Sequence, residues 1–212
     1  MKYKCIIFDC DGVLVDSEHI SNSVLIETAN DLGVTISSKY ALEHFGGKSL
    51  KSCLDYIEVL LGKKLPTNFE TQFRNKTFAA FKTDLKPIKG IHDLLSKIEI
   101  PFCVASSGPL EKIQLNLTTT KLIPHFEGKM FSSYEIGSWK PNPEIFLYAA
   151  KKMGFEVADC VVIEDSISGI QAAKSGGFDV IGFVNDSNQE RFKNQNIPIC
   201  YDMNELHFFL VK

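Results

Sequence analysis

Residues 5–18 read CIIFDCDGVLVDSE, a run in which four apolar side chains, Cys5 to Phe8, lead directly into Asp9 and Asp11 with one residue between them. By length and β-branching, residues 2–8 read as a short buried strand. A buried strand that ends in two carboxylates brings like charges together, which costs stability unless a cation or a proton relieves the repulsion. A positive partner is therefore expected at this strand end.

Working outward, similar apolar runs recur at 102–105, 160–163 and 180–184. Between them lie helix-like stretches at 92–98, 110–117, 143–153 and 167–175, several preceded by Pro, Ser or Gly. Strand alternating with helix predicts an α/β fold with a parallel sheet covered on both faces. Residues 16–85 differ. They carry helical periodicity without a convincing strand, with Leu50, Leu54, Ile57 and Leu61 on one face and Phe73, Phe78 and Phe81 on another. The expected architecture is a doubly wound, Rossmann-like core from residues 1–15 and 86–212, with 16–85 inserted as an all-helical cap. Val15–Ser17 and Lys86–Gly90 are the candidate hinges.

The chain has 212 residues, a formal net charge of −3 and a pI near 6.0, with no block of Lys and Arg. Nucleic acid and membrane surfaces are excluded as partners on that balance, which leaves small molecules. The N-terminal apolar run breaks at Asp9, too early for a signal-peptide core or a membrane span, so a cytoplasmic location is expected, and with it a monomer. Six cysteines lie far apart with no CxxC pair and read as free thiols in a reducing compartment, not as a zinc site.

In an open parallel sheet, ligands bind beyond the carboxyl ends of the strands. FCVASSGP (102–109) ends in Ser106, Ser107 and Gly108, with Pro109 expected at the first position of a helix, an arrangement suited to an anion. CVVIEDSISG (160–169) ends in Glu164 and Asp165, and SWKPNPEIF (138–146) holds Lys140 in a Pro-rich turn. Four carboxylates around an anion pocket and one lysine call for a hard cation, Mg²⁺, with a phosphoryl group in the pocket. Each motif also has a plainer use. Asp9 and Asp11 suit an Asx-turn, Ser106–Gly108 a helix cap, Lys140 a solvated loop, and Glu164 with Asp165 an acidic first helical turn.

DCDGVLVD, Ser106, Lys140 and the Glu164-Asp165 pair, in that order and over essentially the whole chain, resemble the four motifs of the haloacid dehalogenase-like hydrolases. The helical insert resembles the cap of the branch that includes β-phosphoglucomutase and sugar-phosphate phosphatases. CDGVLVDSE, SSGP and WKPNP are most similar to its 6-phosphogluconate phosphatase-like members. The resemblance implies a Mg²⁺-dependent phosphatase of a small phosphorylated metabolite, a sugar or sugar-acid phosphate. Asp9 would be the nucleophile and Asp11 the general acid and base. Mg²⁺ would sit on Asp9, the Asp11 carbonyl, Asp165 and, directly or through a bridging group, Glu164. Ser106, Ser107 and Gly108 would hold the phosphoryl oxygens and Lys140 would offset the shared negative charge. In the cap, Lys48 and Arg74 are candidate anchors for the rest of the substrate.

Two other readings remain beside it. A phosphomutase shares all four motifs, but Ser21 stands where the β-phosphoglucomutase hinge carries a histidine, and the cap loop that in that enzyme binds the second phosphate with Lys and Arg reads FGGKS (45–49) here. A non-catalytic binding protein of the same fold would not need the full set of side chains. A metal-free dehalogenase lacks the second aspartate, so Asp11 argues against it.

Overall fold

The structure is a computed structural model that describes residues 2–45, 50–185 and 188–211. The chain divides into two compact units, one of Met1–Asp16 with Lys86–Lys212 and one of Ser17–Leu85.

In the first unit, the described residues form a parallel six-stranded sheet of β1 (Cys5–Phe8), β2 (Phe102–Ser106), β3 (Met130–Ser132), β4 (Cys160–Glu164), β5 (Asp179–Phe183) and β6 (Ile199–Cys200). Its order is β3-β2-β1-β4-β5-β6. The chain steps outward from β1 through β2 to β3, then returns to the other side of β1 to lay down β4. The reversal makes the gap beyond the carboxyl ends of β1 and β4 the natural ligand crevice.

Every residue of β1, β2 and β4 is buried, as continuous apolar runs covered on both faces should be. On one face, Cys5, Ile7, Cys103 and Val162 pack against Ile145, Phe146 and Ala149 of α9 (Glu144–Met153) and Ile170 and Ala173 of α10 (Ile167–Ser175). On the other, the Phe8 and Phe102 rings meet edge-on at 6.0 Å, and Phe102 meets Phe126 of α7 (Ile123–Phe126) at 5.3 Å. All six cysteines are free and buried.

Several elements fall outside the expectation. β3 and β6 are three and two residues long, too short for any alternation to register. The helices α7, α8 (Ser133–Ile136), α11 (Gln189–Phe192) and α12 (Met203–Val211) lie outside it as well. The first strand begins at Cys5, and β5 is shifted back one residue. Pro109 is the N-cap, with ψ 153°, and not the first residue of α6 (Leu110–Thr119). The preceding helix, α5, spans Ile91–Lys97.

Beyond β1 the chain turns sharply. Leu14 and Val15 donate their amides to the Cys10 carbonyl at 2.9 and 3.1 Å, and Gly12 donates to Val15 at 2.8 Å. Gly12 has φ +82°, open to glycine and strained for other residues. The outgoing and returning segments then pair, Asp16 N–H with the Lys86 carbonyl at 2.9 Å and Ile88 N–H with that of Leu14 at 3.0 Å.

The second unit is helical: α1 (Glu18–Asn30), α2 (Ser38–Phe45), α3 (Leu50–Leu61) and α4 (Phe69–Asp84). Ile20, Val24 and Leu25 of α1 and Phe69, Phe73 and Phe81 of α4 are buried. Lys76 bridges α4 to Glu27 and Asp31 at 3.2 and 3.0 Å. The Asn30 amide closes the α1–α2 turn by exchanging two hydrogen bonds with the Ile36 backbone, at 2.8 and 3.1 Å.

Because Ile7 is wholly buried in the central strand, Ile7→Val should lower unfolding stability by about 0.5–1.5 kcal/mol and Ile7→Ala by about 2–5 kcal/mol. Urea denaturation measures both. An alanine variant as stable as the valine one would contradict a close-packed sheet interior at this point.

Candidate active site

The carboxyl ends of β1 and β4 are adjacent, in register from Cys5 with Cys160 to Phe8 with Ile163. Asp9 therefore emerges beside Glu164 and Asp165, and one oxygen of each lies within 4.8 Å of the others. Asp9 is 7% exposed and Glu164 not exposed at all.

The positive partner expected from the sequence is Lys140. Its Nζ lies 2.5 Å from Asp9 Oδ1 and 2.5 Å from Glu164 Oε1, and its side chain is 5% exposed. Nζ also donates to the Ala105 carbonyl at 3.4 Å and sits 4.9 Å from the centre of the Phe146 ring. Burial works against the ammonium, but the Asp9 and Glu164 carboxylates outweigh it and raise the lysine above its usual range. The solvated-loop alternative for this lysine is thus not what the structure shows.

Even with that cation the acids are crowded. Burial, joined by the charges of Glu164 and Asp11 and opposed by Lys140, pushes the Asp9 carboxyl up to about 7. Two glycines keep the crowding sterically possible. A Cβ at Gly12 would fall on the Asp165 carboxylate, and one at Gly169 on that of Glu164. Glu164 is also held from the helix side: its Oε2 accepts from the Ser166 N–H at 3.0 Å and hydroxyl at 2.9 Å. Ser166 caps α10 by accepting from the Gly169 N–H at 3.0 Å. Both Glu164 oxygens are therefore engaged, Oε1 by Lys140 and Oε2 by Ser166.

At the end of β2, the Gly108 N–H donates to the Ser106 hydroxyl at 3.0 Å, so this amide closes the turn itself. Ser132, at the end of β3, donates its hydroxyl to the Gly108 carbonyl at 2.7 Å and ties the turn to the neighbouring strand. Ser107 is partly exposed in the same turn. Asp11 faces α6: Lys112 Nζ lies 2.7 Å from its Oδ2, and Asn116 Nδ2 donates to Oδ1 at 3.3 Å. Asn188 fastens the Asp165 backbone, donating from Nδ2 to the carbonyls of Asp165 and Phe183 at 3.1 Å each.

Asp9, Ser106–Gly108, Lys140, Glu164 and Asp165 are thus gathered at one sheet edge, with Asp11 one residue beyond Cys10. Arg74 belongs to the helical unit, on α4, where its guanidinium is paired with Glu70 at 2.7 Å. Lys48 lies outside the described residues. Lys112, Asn116, Ser132, Ser166 and Asn188 were not singled out from the sequence. The one available signal was the polar i, i+4 pair Lys112/Asn116 in the helix that follows the Ser-Ser-Gly turn.

The carboxylate set suits a hard divalent cation: oxygen donors within reach of one another, and an Asp9 carboxyl short of positive charge despite its lysine.

Comparison with known proteins adds the family. A family described as haloacid dehalogenase-like hydrolase matches residues 3–177. The 6-phosphogluconate phosphatase of Escherichia coli K12 is 31% identical over 206 residues, covering 97% of this chain and 93% of that protein. The phosphorylated carbohydrates phosphatase of Thermotoga maritima is 27% identical, covering 87% of each. A haloacid dehalogenase-like protein of unknown function from Agrobacterium tumefaciens superposes with a TM-score of 0.87 at 30% identity, covering 99% of this chain and 98% of that one.

Removing Lys140 would strand a fully buried Glu164. In chelator, Lys140→Met should lower unfolding stability by about 3–5 kcal/mol, as expected when one partner of a buried pair is lost. Adding Glu164→Gln to that variant should recover part of the loss. A single variant within about 1 kcal/mol of the parent by guanidinium denaturation would show that these charges are not a buried unit.

Proposed function

The chain belongs to the haloacid dehalogenase-like hydrolases and is a phosphoric monoester hydrolase; we propose that its substrate is a small phosphorylated sugar or sugar acid, cleaved through an aspartyl-phosphate on Asp9. The observation that carries this reading is the buried contact of Lys140 with both Asp9 and Glu164 at the β1–β4 crevice. A surface lysine has no reason to be there, whereas a nucleophile sharing negative charge with a phosphate does. The names of the E. coli and Thermotoga relatives support the sugar-phosphate class.

In this mechanism Asp9 attacks phosphorus in line with the departing alkoxide, dividing one displacement into two. Lys140 holds the Asp9 carboxylate in one orientation and offsets the charge that accumulates as the phosphate approaches. Glu164 acts through Lys140, fixing its ammonium from the far side. The Ser106 hydroxyl and the amides of the turn bind the phosphoryl oxygens. Asp11 protonates the leaving alkoxide, then as carboxylate takes a proton from the water that attacks the aspartyl-phosphate. Asp9, Asp165 and the Asp11 carbonyl would hold Mg²⁺, which supplies electrostatic stabilisation of the transferring phosphoryl group. Discrimination among leaving groups is assigned to the helical insertion, residues 16–85, in a monomeric cytoplasmic enzyme. A phosphomutase is the second reading on shared motifs, and Ser21 disfavours it.

Phosphate release from a panel of sugar phosphates, polyol phosphates and nucleotides should show turnover that EDTA abolishes and Mg²⁺ restores; full turnover in chelator would exclude the metal. Asp9→Asn should eliminate hydrolysis, and Asp11→Asn should reduce it by roughly 10²–10⁴-fold. Wild-type rates in both variants would remove both assignments, and net conversion between two sugar-phosphate isomers without phosphate release would favour the mutase.

A further inference from the structure

We propose that Lys112 and Asn116 are positioning residues that hold the Asp11 carboxylate for its proton transfers, an inference that rests on the reading of Asp11 as acid and base. The two side chains lie four residues apart on α6, hence on one helix face, and each engages a different oxygen of Asp11.

Asn116 carries the argument. It is wholly buried in the interior of a ten-residue helix, between Ile113 and Leu117, which are also buried. Its Nδ2 donates to Asp11 and lies 3.9 Å from Cys10 Sγ, while its Oδ1 has no hydrogen-bond partner among the described residues. Exchanging the amide oxygen and nitrogen would turn a carbonyl oxygen toward a carboxylate, so the orientation follows from Asp11. A buried acceptor left unpaired works against the fold, and a leucine would suit these surroundings better. What the asparagine supplies in return is its donor to Asp11.

Lys112 reaches the same carboxylate by crossing Gly108, where a Cβ would stand 3.3 Å from the lysine Cδ. The absence of a side chain at 108 keeps that path open. With side-chain exposures of 21% and 31%, Lys112 and Asp11 are shielded enough for the ion pair to hold a fixed geometry. Together the two donors fix both oxygens of the Asp11 carboxylate in one orientation, the one from which it would pass a proton to the alkoxide and take one from water.

The test compares Asn116→Leu, Lys112→Met and Lys112→Arg with the wild-type enzyme in Mg²⁺. Asn116→Leu and Lys112→Met should each lower kcat by about tenfold or more, a fraction of the roughly 10²–10⁴-fold that acid–base catalysis supplies. KM and inhibition by inorganic phosphate should change by less than about twofold, since neither residue is assigned to the phosphate. The loss should be larger on a sugar phosphate than on p-nitrophenyl phosphate, whose leaving group needs little protonation. Lys112→Arg should restore most of kcat, and Asn116→Leu should melt at or above the wild-type Tm. In a crystal structure of Lys112→Met/Asn116→Leu, the Asp11 carboxylate should have left its present position.

Several results would overturn the assignment. A Lys112→Met variant with intact kcat but raised KM and weakened phosphate inhibition would make Lys112 a phosphate-binding cation. An Asn116→Leu chain that fails to fold, or that melts lower with unchanged kcat, would make Asn116 a structural residue. An Asp11 carboxylate unmoved in the double variant would deny the placement outright. A wild-type enzyme inert toward every ester, with the carboxylate displaced in the double variant, would refute the phosphatase reading and leave the placement standing.

Discussion

The Lys140 ammonium stands 2.5 Å from Asp9 and 2.5 Å from Glu164 with almost none of its side chain exposed, and the strand ends are arranged around that cation. Two unit charges about 4 Å apart attract by about 4 kcal/mol at an effective dielectric of about 20. Removing each ion from water costs several kcal/mol after relaxation. Such a triad is near balance at best, so a sheet selected for stability alone would place apolar residues there. Its retention points to chemistry that needs a fixed, dry cation next to a carboxylate.

The topology explains how residues 131 and 24 positions from Lys140 come to share it. With β1 and β4 as neighbours, Asp9 and Glu164 leave the sheet side by side, and α9 supports the lysine with the Phe146 ring. Local devices then fix what the topology brings together. Ser166 caps α10 and grips Glu164 at once. Ser132 fastens the Ser106–Gly108 turn to β3, and Asn188 fastens Asp165 to the end of β5.

The central strands, the helices α5, α6, α9 and α10 that alternate with them and the helices of residues 16–85 were legible in the sequence because each is a periodic or continuous apolar signal bounded by turn residues; α12, beyond the last strand, was not. The edge strands β3 and β6 were not, since two or three residues carry no period and their pairing comes from the sheet already in place. The same division holds at the site. Asp9, Asp11, Glu164 and Asp165 stand out because acids directly after buried strands contradict the local pattern. Lys112, Asn116 and Asn188 are polar residues in unremarked helix and loop positions, and only tertiary proximity gives them meaning. Glu164 shows the limit in another way: its place after a buried strand marks it as an acid of the site, but only the tertiary structure shows that its oxygens meet Lys140 and Ser166.

Stability and function are thus separated along the strands. Away from the crevice, Cys5, Ile7, Cys103, Cys160 and Val162 are buried apolar or thiol side chains in one continuous cluster with α9 and α10. The thiols behave as hydrophobes: a hydrogen bond with Cys103 first, then burial, pushes that of Cys5 up to about 12, far from thiolate formation. At the carboxyl edge the pattern inverts to buried charges, glycines where a Cβ would strike a carboxylate, and a buried amide whose oxygen has no partner among the described residues. Each of these is unfavourable in isolation, and each is tolerable only because the apolar layer beneath holds the strand ends in register. The rigid half of the sheet is therefore part of the site's chemistry, since without it the crowded carboxylates would move apart and Lys140 would have nothing fixed to orient.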